Sequence, residues 1–240
     1  MPTNMGLSVG LASSGRPIPV QMLHAMICQA YPSNTSVFHQ LILGKEVGEA
    51  RERLVEEALK VNTEFLWFID DDTSPPHYAI SKLIYEMRQN PDIAVIGGIY
   101  CMKNVPPAPV IYRGNGHGEF WDWAVDDVFE VTGIGTGCML IRTAIFKSIE
   151  RPWFKTTLSV PDKQINGEWI LGEGFTDDLY FCEKARAAGF RIFAHGGVLC
   201  DHWDIASRTA YFLPKDSLPY RNRETGKRTA PLETPLLVHI

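Results

Sequence analysis

The stretch FLWFIDDDTSPP, residues 65–76, runs five apolar residues straight into three consecutive aspartates. Phe65, Leu66, Trp67, Phe68 and Ile69 show no apolar–polar alternation, the pattern of a short strand covered on both faces. Asp70, Asp71 and Asp72 then set three mutually repelling carboxylates at its end, and Pro75 and Pro76 keep the chain from continuing as strand. Such an end is either solvated or built to meet a cation. Three acids directly after five buried residues favour the cation. Hard carboxylate oxygens suit Mg²⁺ or Mn²⁺, ions that keep coordination positions for water and substrate phosphates.

Outward from this strand the chain alternates. LSVGLASSG (7–15) reads as a buried strand ending in a small-residue loop, and Val37–Leu43 as a second strand. Between them, Pro17–Ala30 carries Val20, Leu23 and Ile27 at helical spacing, with prolines at its start where they are tolerated. Glu46–Lys60 predicts a helix with Val47, Ala50, Leu54, Ala58 and Leu59 on one face. Pro75–Asn90 predicts another, with Ile80, Leu83, Ile84 and Met87 together, followed by the strand IAVIGGIY (93–100). Strand and helix alternating through the first hundred residues predict an α/β fold with a mostly parallel, doubly wound central sheet flanked by helices. Ligands of such sheets sit at the carboxyl ends of strands, where Asp70–Asp72 lie.

Beyond Tyr100 the texture changes. NVPPAPVIYRG (104–114) reads as extended, HGEFWDW (117–123) as an aromatic loop, and VFEVTGIGTGCMLIRTAIF (128–146) as two short strands around a glycine-rich turn. A loop is expected to about Trp169, then a helix from about Thr176 to Ala188 closed by Gly189, and the strand FRIFAHG (190–196). The last thirty or so residues have weak periodicity. The expected division is a domain over residues 1–212 and a tail or lid over 213–240.

Composition narrows the classes. Of 240 residues, 45% are hydrophobic and 21% charged, ordinary for a globular protein. A net charge of −5 with scattered basic residues gives no electrostatic reason to expect nucleic acid. Cys28, Cys101, Cys138, Cys182 and Cys200 are odd in number, far apart and without a CxxC pair, so reduced core cysteines are expected. No signal-peptide pattern follows Met1, and no apolar run approaches the ~18–20 residues that span a bilayer. A soluble, cytoplasmic chain is the expectation.

Three more constellations could carry chemistry. In GEGFTDDLYFCEKARAAGFRI (172–192), Asp177 and Asp178 fall in the first turn of a helix, where the dipole favours negative charge and a carboxylate can serve as a positioned base. In VLCDHWD (198–204), His202 could give an imidazole nitrogen to a divalent metal, and a zinc site with Cys200 lacks a second Cys/His pair. In GIGTGCMLIR (133–142) the spacing is not that of a phosphate loop, so Gly135 and Gly137 more plausibly let backbone approach a ligand. His77 reads as a cap or solvated, Asp126–Asp127 as a turn, and Trp121, Trp123, Trp153, Trp169 and Tyr180 as core or sugar-stacking residues.

In this order, strand-DDD, GTGCMLIR, DDLYFC and strand-C-D-H resemble the GT-A fold glycosyltransferases, most nearly the inverting family 2 type and its small phage and bacterial relatives. The resemblance covers residues 7 to about 205. It implies a Rossmann-like GT-A domain with a small additional β segment. The family's D-x-D falls on Asp70–Asp72, which implies Asp70 and Asp71 on the nucleotide sugar and Asp72 on the metal. The helix-start acids fall on Thr176-Asp177-Asp178, with Asp177 in place of the usual Glu beside the donor and Asp178 as catalytic base. His202 takes the place of the metal-binding His. The base-binding loop falls on Ala12-Ser13-Ser14, so Ser13 is a donor-binding candidate, as is Gly137. Arg51 is retained in Ala50-Arg51-Glu52, where relatives often carry Ala-Arg-Asn. The implied activity moves a sugar from a UDP- or GDP-linked donor to an unknown acceptor with Mn²⁺ or Mg²⁺. The rivals are a non-catalytic binding protein on the same fold and a nucleotidyltransferase, whose Gly-rich loop with Lys is absent from GLASSGRPIP.

Overall fold

A computed structural model of the chain describes residues 5–113, 120–157, 161–165, 168–171, 176–213, 218–219 and 237–239. His117, the basic residues Arg221, Arg223, Lys227 and Arg228, and most of the expected tail lie outside the described residues. The chain opens β1 (Met5–Ser13), α1 (Val20–Ile27), β2 (Thr35–Leu43), α2 (Val47–Lys60), β3 (Phe65–Asp70), β4 (Thr73–Ser74), α3 (Ala79–Gln89) and β5 (Ile93–Ile99). It continues through β6 (Ile111–Tyr112), β7 (Val128–Val131), β8 (Gly133–Ile134), β9 (Cys138–Arg142), β10 (Pro161–Ile165), β11 (Glu168–Leu171) and α4 (Asp177–Ala187). It ends in β12 (Arg191–Leu199), β13 (Asp201–Asp204), β14 (Thr209–Tyr211) and β15 (Leu237–His239).

Seven strands form the central sheet in the order β2-β1-β3-β9-β5-β12-β7. β2, β1, β3, β5 and β12 run the same way, while β9 and β7 run antiparallel to their neighbours. Side chains of β3 alternate between two cores. Phe65, Trp67 and Ile69 pack with Met22 of α1 and Ile80, Leu83 and Met87 of α3; Leu66 and Phe68 pack with Leu54 of α2 and Phe181 of α4.

The structure departs from the sequence-based expectation at three places. The segment 128–146 is not two strands about one turn: β7 takes the sheet edge beside β12, whereas β9 enters the centre between β3 and β5. Cys138–Ile141 are fully buried, which a central strand covered on both faces requires. Within the expected loop to Trp169, β10 and β11 pair antiparallel. The stripe Val20, Leu23 and Ile27 of α1 is exposed, and Met22 and Ala25 face the core instead. Trp123 and Trp153 are core residues, Trp123 stacked on Phe129 and Trp153 edge-on to Phe146. Asp126 and Asp127 do make a turn: Asp126 has φ 66°, and a carboxylate oxygen of Asp127 accepts from Ala124 N–H at 3.1 Å.

A second, four-stranded sheet, β15-β14-β13-β4, lies at the carboxyl end of β3. β4 is the continuation of Asp70–Asp72, and its pairing with β13 sets Thr73 opposite His202 and Ser74 opposite Asp201. Trp203 locks the pair, donating its N–H to the Asp72 carbonyl and its ring N–H to Ser74 Oγ, both at 2.8 Å. Through β15 the pairing also reaches into the expected tail. Among the described residues no helix is long and apolar enough to cross a membrane.

On β12, His195 is buried; its Nδ1 accepts from Gly197 N–H at 3.0 Å, and its Nε2 lies 4.0 Å from Glu86 of α3. Burial and Lys82 push its pKa from 6.5 down to about 4, against the pull of Asp126. The folded protein therefore binds this proton less readily than the unfolded chain, so the contribution is whole above pH 6.5 and is lost as pH falls to about 4. We predict up to about 3 kcal/mol of stability lost across that window through His195. Urea unfolding at pH 7.5, 6 and 5 should show His195→Gln lacking this part of the slope.

Candidate active site

The carboxyl ends of β1, β3 and β5, the start of α4 and strand β13 enclose a cavity of about 650 Å³. Its wall includes Ser13, Arg51, Asp70, Asp71, Asp72, Asp178 and His202. Asp177 and Gly137 are not in that wall. Each of these side chains has a definable position.

Asp72 is buried at the end of β3. Its Oδ1 lies 3.4 Å from Nε2 of His202, and its Oδ2 receives Arg16 Nη2 at 2.6 Å and Lys103 Nζ. Burial pushes this carboxyl up, but the His202 and Lys103 contacts more than reverse it and hold it well below the usual carboxylate range. His202 has its other nitrogen, Nδ1, 2.6 Å from the Cys101 carbonyl. A carbonyl only accepts, so Nδ1 carries a proton and donates it. A neutral His202 then turns the Nε2 lone pair toward a carboxylate oxygen, and two facing lone pairs call for a cation: a second proton on the ring or a metal ion. A backbone carbonyl orienting a histidine in this way is the usual support for a metal-binding imidazole. Among the described residues no group of three or more His, Cys, Asp or Glu side chains is placed to hold one metal ion by itself. Asp72 and His202 thus form a two-donor N/O set that fits Mn²⁺ or Mg²⁺ completed by water and phosphate oxygens.

Asp71 is turned the other way. Ser13 Oγ donates to its Oδ2 at 2.6 Å, and Arg16 Nε donates to its Oδ1 at 2.9 Å. The Ser13 hydroxyl is therefore committed to holding Asp71. Asp70 and Asp177 share Arg51: Nη2 donates to Asp70 Oδ1 at 2.7 Å and Nη1 to Asp177 Oδ2. The Arg51 side chain is 5% exposed. Burial opposes its charge, but Asp70 and Asp177 outweigh burial and keep the guanidinium protonated. Arg51 thus ties the end of β3 to the start of α4 from behind the cavity.

At the start of α4, Asp178 Oδ1 accepts from Leu179 N–H at 2.8 Å and from the Thr176 hydroxyl. Both are local contacts at a helix N-terminus, where a carboxylate is favoured. Gly137 serves a neighbour instead of opening to a ligand. Its N–H donates to the Tyr100 hydroxyl at 3.3 Å, and a Cβ there would sit 2.8 Å from the Tyr100 ring. At Gly135 a Cβ would meet the Tyr100 hydroxyl at 2.0 Å. These glycines make room for Tyr100, a wall residue edge-on to His202 at 5.1 Å between ring centroids.

Arg16, Lys103 and Tyr100 are the site residues that motif reading passed over. Their one sequence signal is position: Arg16 follows β1, and Tyr100 and Lys103 follow β5, just past strand carboxyl ends.

No protein-family model and no curated protein matches the chain. Solved structures do. A197 from STIV superposes with a TM-score of 0.60 at 18% identity, covering 98% of this chain and 97% of that one. GalNAc-T7, crystallised with UDP, GalNAc and Mn²⁺, superposes with a TM-score of 0.53 at 10% identity. That match covers 84% of this chain and 44% of the other, so the chain spans less than half of GalNAc-T7. The fold is GT-A-like. At these identities the likeness is one of fold, and it does not single out family 2.

Removing Arg51 strands two carboxylates at once. Arg51→Met should cost about 3–5 kcal/mol at pH 7.5, the range for breaking a buried ion pair from one side. Relative to wild type at the same pH, the deficit should shrink toward pH 5, because Asp177, already pushed up by burial, loses the opposing pull of Arg51 and gains affinity for protons in the folded state only. Urea unfolding at the two pH values measures both.

Proposed function

We propose that this protein is a metal-dependent glycosyltransferase that moves a sugar from a UDP- or GDP-linked donor to an acceptor hydroxyl with inversion. The observation that carries this reading is the convergence of Asp70–Asp72, His202 and Asp178 on one cavity at the carboxyl edge of a GT-A-like sheet. Mn²⁺ in the GalNAc-T7 crystal, together with UDP, supports the choice of cation and donor class.

Asp72 Oδ1 and His202 Nε2 would hold the ion, which when bound offsets charge developing on the departing nucleoside diphosphate. Asp70 would face the nucleotide, held in place by Arg51. Asp178 is the general base. With Oδ1 occupied by Thr176 and Leu179, Oδ2 takes the proton of the acceptor hydroxyl as its oxygen bonds to the sugar C1. The C1–O bond to the diphosphate breaks with its electron pair leaving on the diphosphate, and attack from the opposite face inverts the anomeric centre. Tyr100 remains a neutral phenol, its pKa raised well above the usual value by burial and by Asp70 and Asp178.

A screen of nucleotide sugars for Mn²⁺-dependent hydrolysis and transfer tests the reaction. Asp178→Asn should slow transfer by about 10²–10⁴ while nucleoside diphosphate binding is kept. Asp72→Asn should lose the Mn²⁺ dependence of UDP or GDP binding. Transfer by Asp178→Asn at the wild-type rate would remove this residue as the base. Tight UDP or GDP binding with no turnover of any donor would make the chain a binding protein on the same fold.

A further inference from the structure

Two cations at the cavity rim have no part in the reaction just described. Arg16 enters from the chain between β1 and α1, and Lys103 from the chain beyond β5. Both place a nitrogen on the same oxygen, Oδ2 of Asp72. The carboxylate they share is fixed, since its side chain is 7% exposed and its backbone is paired with Trp203. The cations are freer, at 46% exposed for Arg16 and 25% for Lys103.

We infer that Arg16 and Lys103 form the diphosphate-binding pair of this site, giving up Asp72 for phosphate oxygens when a divalent ion and a nucleoside diphosphate enter. The inference rests on the sugar-transfer reading. Among the described residues four Arg and Lys side chains line the cavity: Arg16, Lys45, Arg51 and Lys103. Arg51 is buried between Asp70 and Asp177, and Lys45 pairs with Glu49 at 3.3 Å on the exposed side of α2. Arg16 and Lys103 are the two that contact the proposed metal ligand, so loading that ligand displaces both from Oδ2, while Arg16 keeps its Nε on Asp71. A guanidinium fork and an ammonium point charge are the two side-chain chemistries suited to phosphate oxygens. In the unloaded site they serve as counter-ions, keeping Asp71 and Asp72 compensated until the dication arrives.

The exchange predicts opposite signs for two affinities. Calorimetric titrations would compare wild type, Lys103→Gln, Arg16→Gln and Arg16→Lys. The ligands are Mn²⁺ alone, then UDP, GDP and inorganic pyrophosphate at saturating Mn²⁺. Either glutamine variant frees Asp72 of a competing cation, so Mn²⁺ alone should bind about threefold to tenfold more tightly. The diphosphates should bind about 10–100-fold more weakly, the loss expected for a charge-assisted contact. Arg16→Lys should fall between. Lys103→Gln leaves Arg16 on both carboxylates and is the variant that keeps the fold if Arg16→Gln does not. Diphosphate affinity equal to wild type in both glutamine variants overturns the exchange. So does a parallel loss of Mn²⁺ and diphosphate affinity, which would make the pair a structural support. If wild type binds pyrophosphate with Mn²⁺ but neither UDP nor GDP, the exchange stands and the sugar-transfer reading fails. If it binds none of the three, both fail.

Discussion

Negative charge placed at the border of a dry core must be balanced inside the protein, and this constraint organises the site. β3 is covered on both faces, so its register against β1 and β9 fixes where Asp70 leaves the sheet. Asp71 and Asp72 follow at once and are themselves buried. Ionised carboxylates in that position are costly unless each has a charged or donating partner. Among the described residues, the side-chain partners of Asp70, Asp71 and Asp72 come from separate parts of the chain: Ser13 at the end of β1 and Arg16 just after it, Arg51 from α2, Lys103 beyond β5 and His202 on β13. Charge balance therefore gathers the segments that form the cavity.

The same requirement explains why the small second sheet exists where it does. Without the pairing of β4 with β13, His202 would have no fixed relation to a residue 130 positions earlier. Trp203 supplies two hydrogen bonds that set that register, one to backbone and one to Ser74. The alternation of a strand then turns His202 toward the cavity and its neighbours Asp201 and Trp203 away from it. Cys101 completes the arrangement by accepting from the far side of the ring. The imidazole is oriented by a backbone carbonyl and by two buried side chains, Asp72 and Tyr100, so its position depends on the fold.

Much of this was legible in the sequence, and the reasons are local. A run of apolar residues ending in acids specifies a buried strand and its exit, and paired aspartates before FCEKARA specify a helix start. The α/β architecture with a mostly parallel sheet followed from strand–helix alternation through Tyr100, and its GT-A-like character was implied by the resemblance of the ordered motifs. What was not legible depends on tertiary placement. CMLIR is apolar enough for a central strand, but nothing in its pattern says that it inserts antiparallel between β3 and β5. The spacing of Val20, Leu23 and Ile27 indicates a helix without saying which side is covered. The glycines of GIGTG signal a close approach, yet only the fold shows that Tyr100 is what approaches. Arg16 and Lys103 have no periodicity and no motif, and their role is visible only once three separate strand ends are seen to converge.

Electrostatic magnitudes decide how the unloaded and loaded sites must differ. Two unit charges 4 Å apart interact by about 4 kcal/mol at an effective dielectric of 20, so a dication and a monocation at that distance repel by about twice as much. Arg16 and Lys103 both contact Asp72 Oδ2, and a dication on the adjacent oxygen would face that repulsion from each. Attraction to Asp72, which the two cations share, works against that repulsion, and Arg16 is held by Asp71 as well. The diphosphate resolves the conflict by bringing its own negative charge beside the dication, which turns displaced cations into partners. A site arranged in this way binds its ion weakly alone and its ion with diphosphate strongly. The ordering follows from two cationic side chains and one carboxylate, without any movement of the sheet.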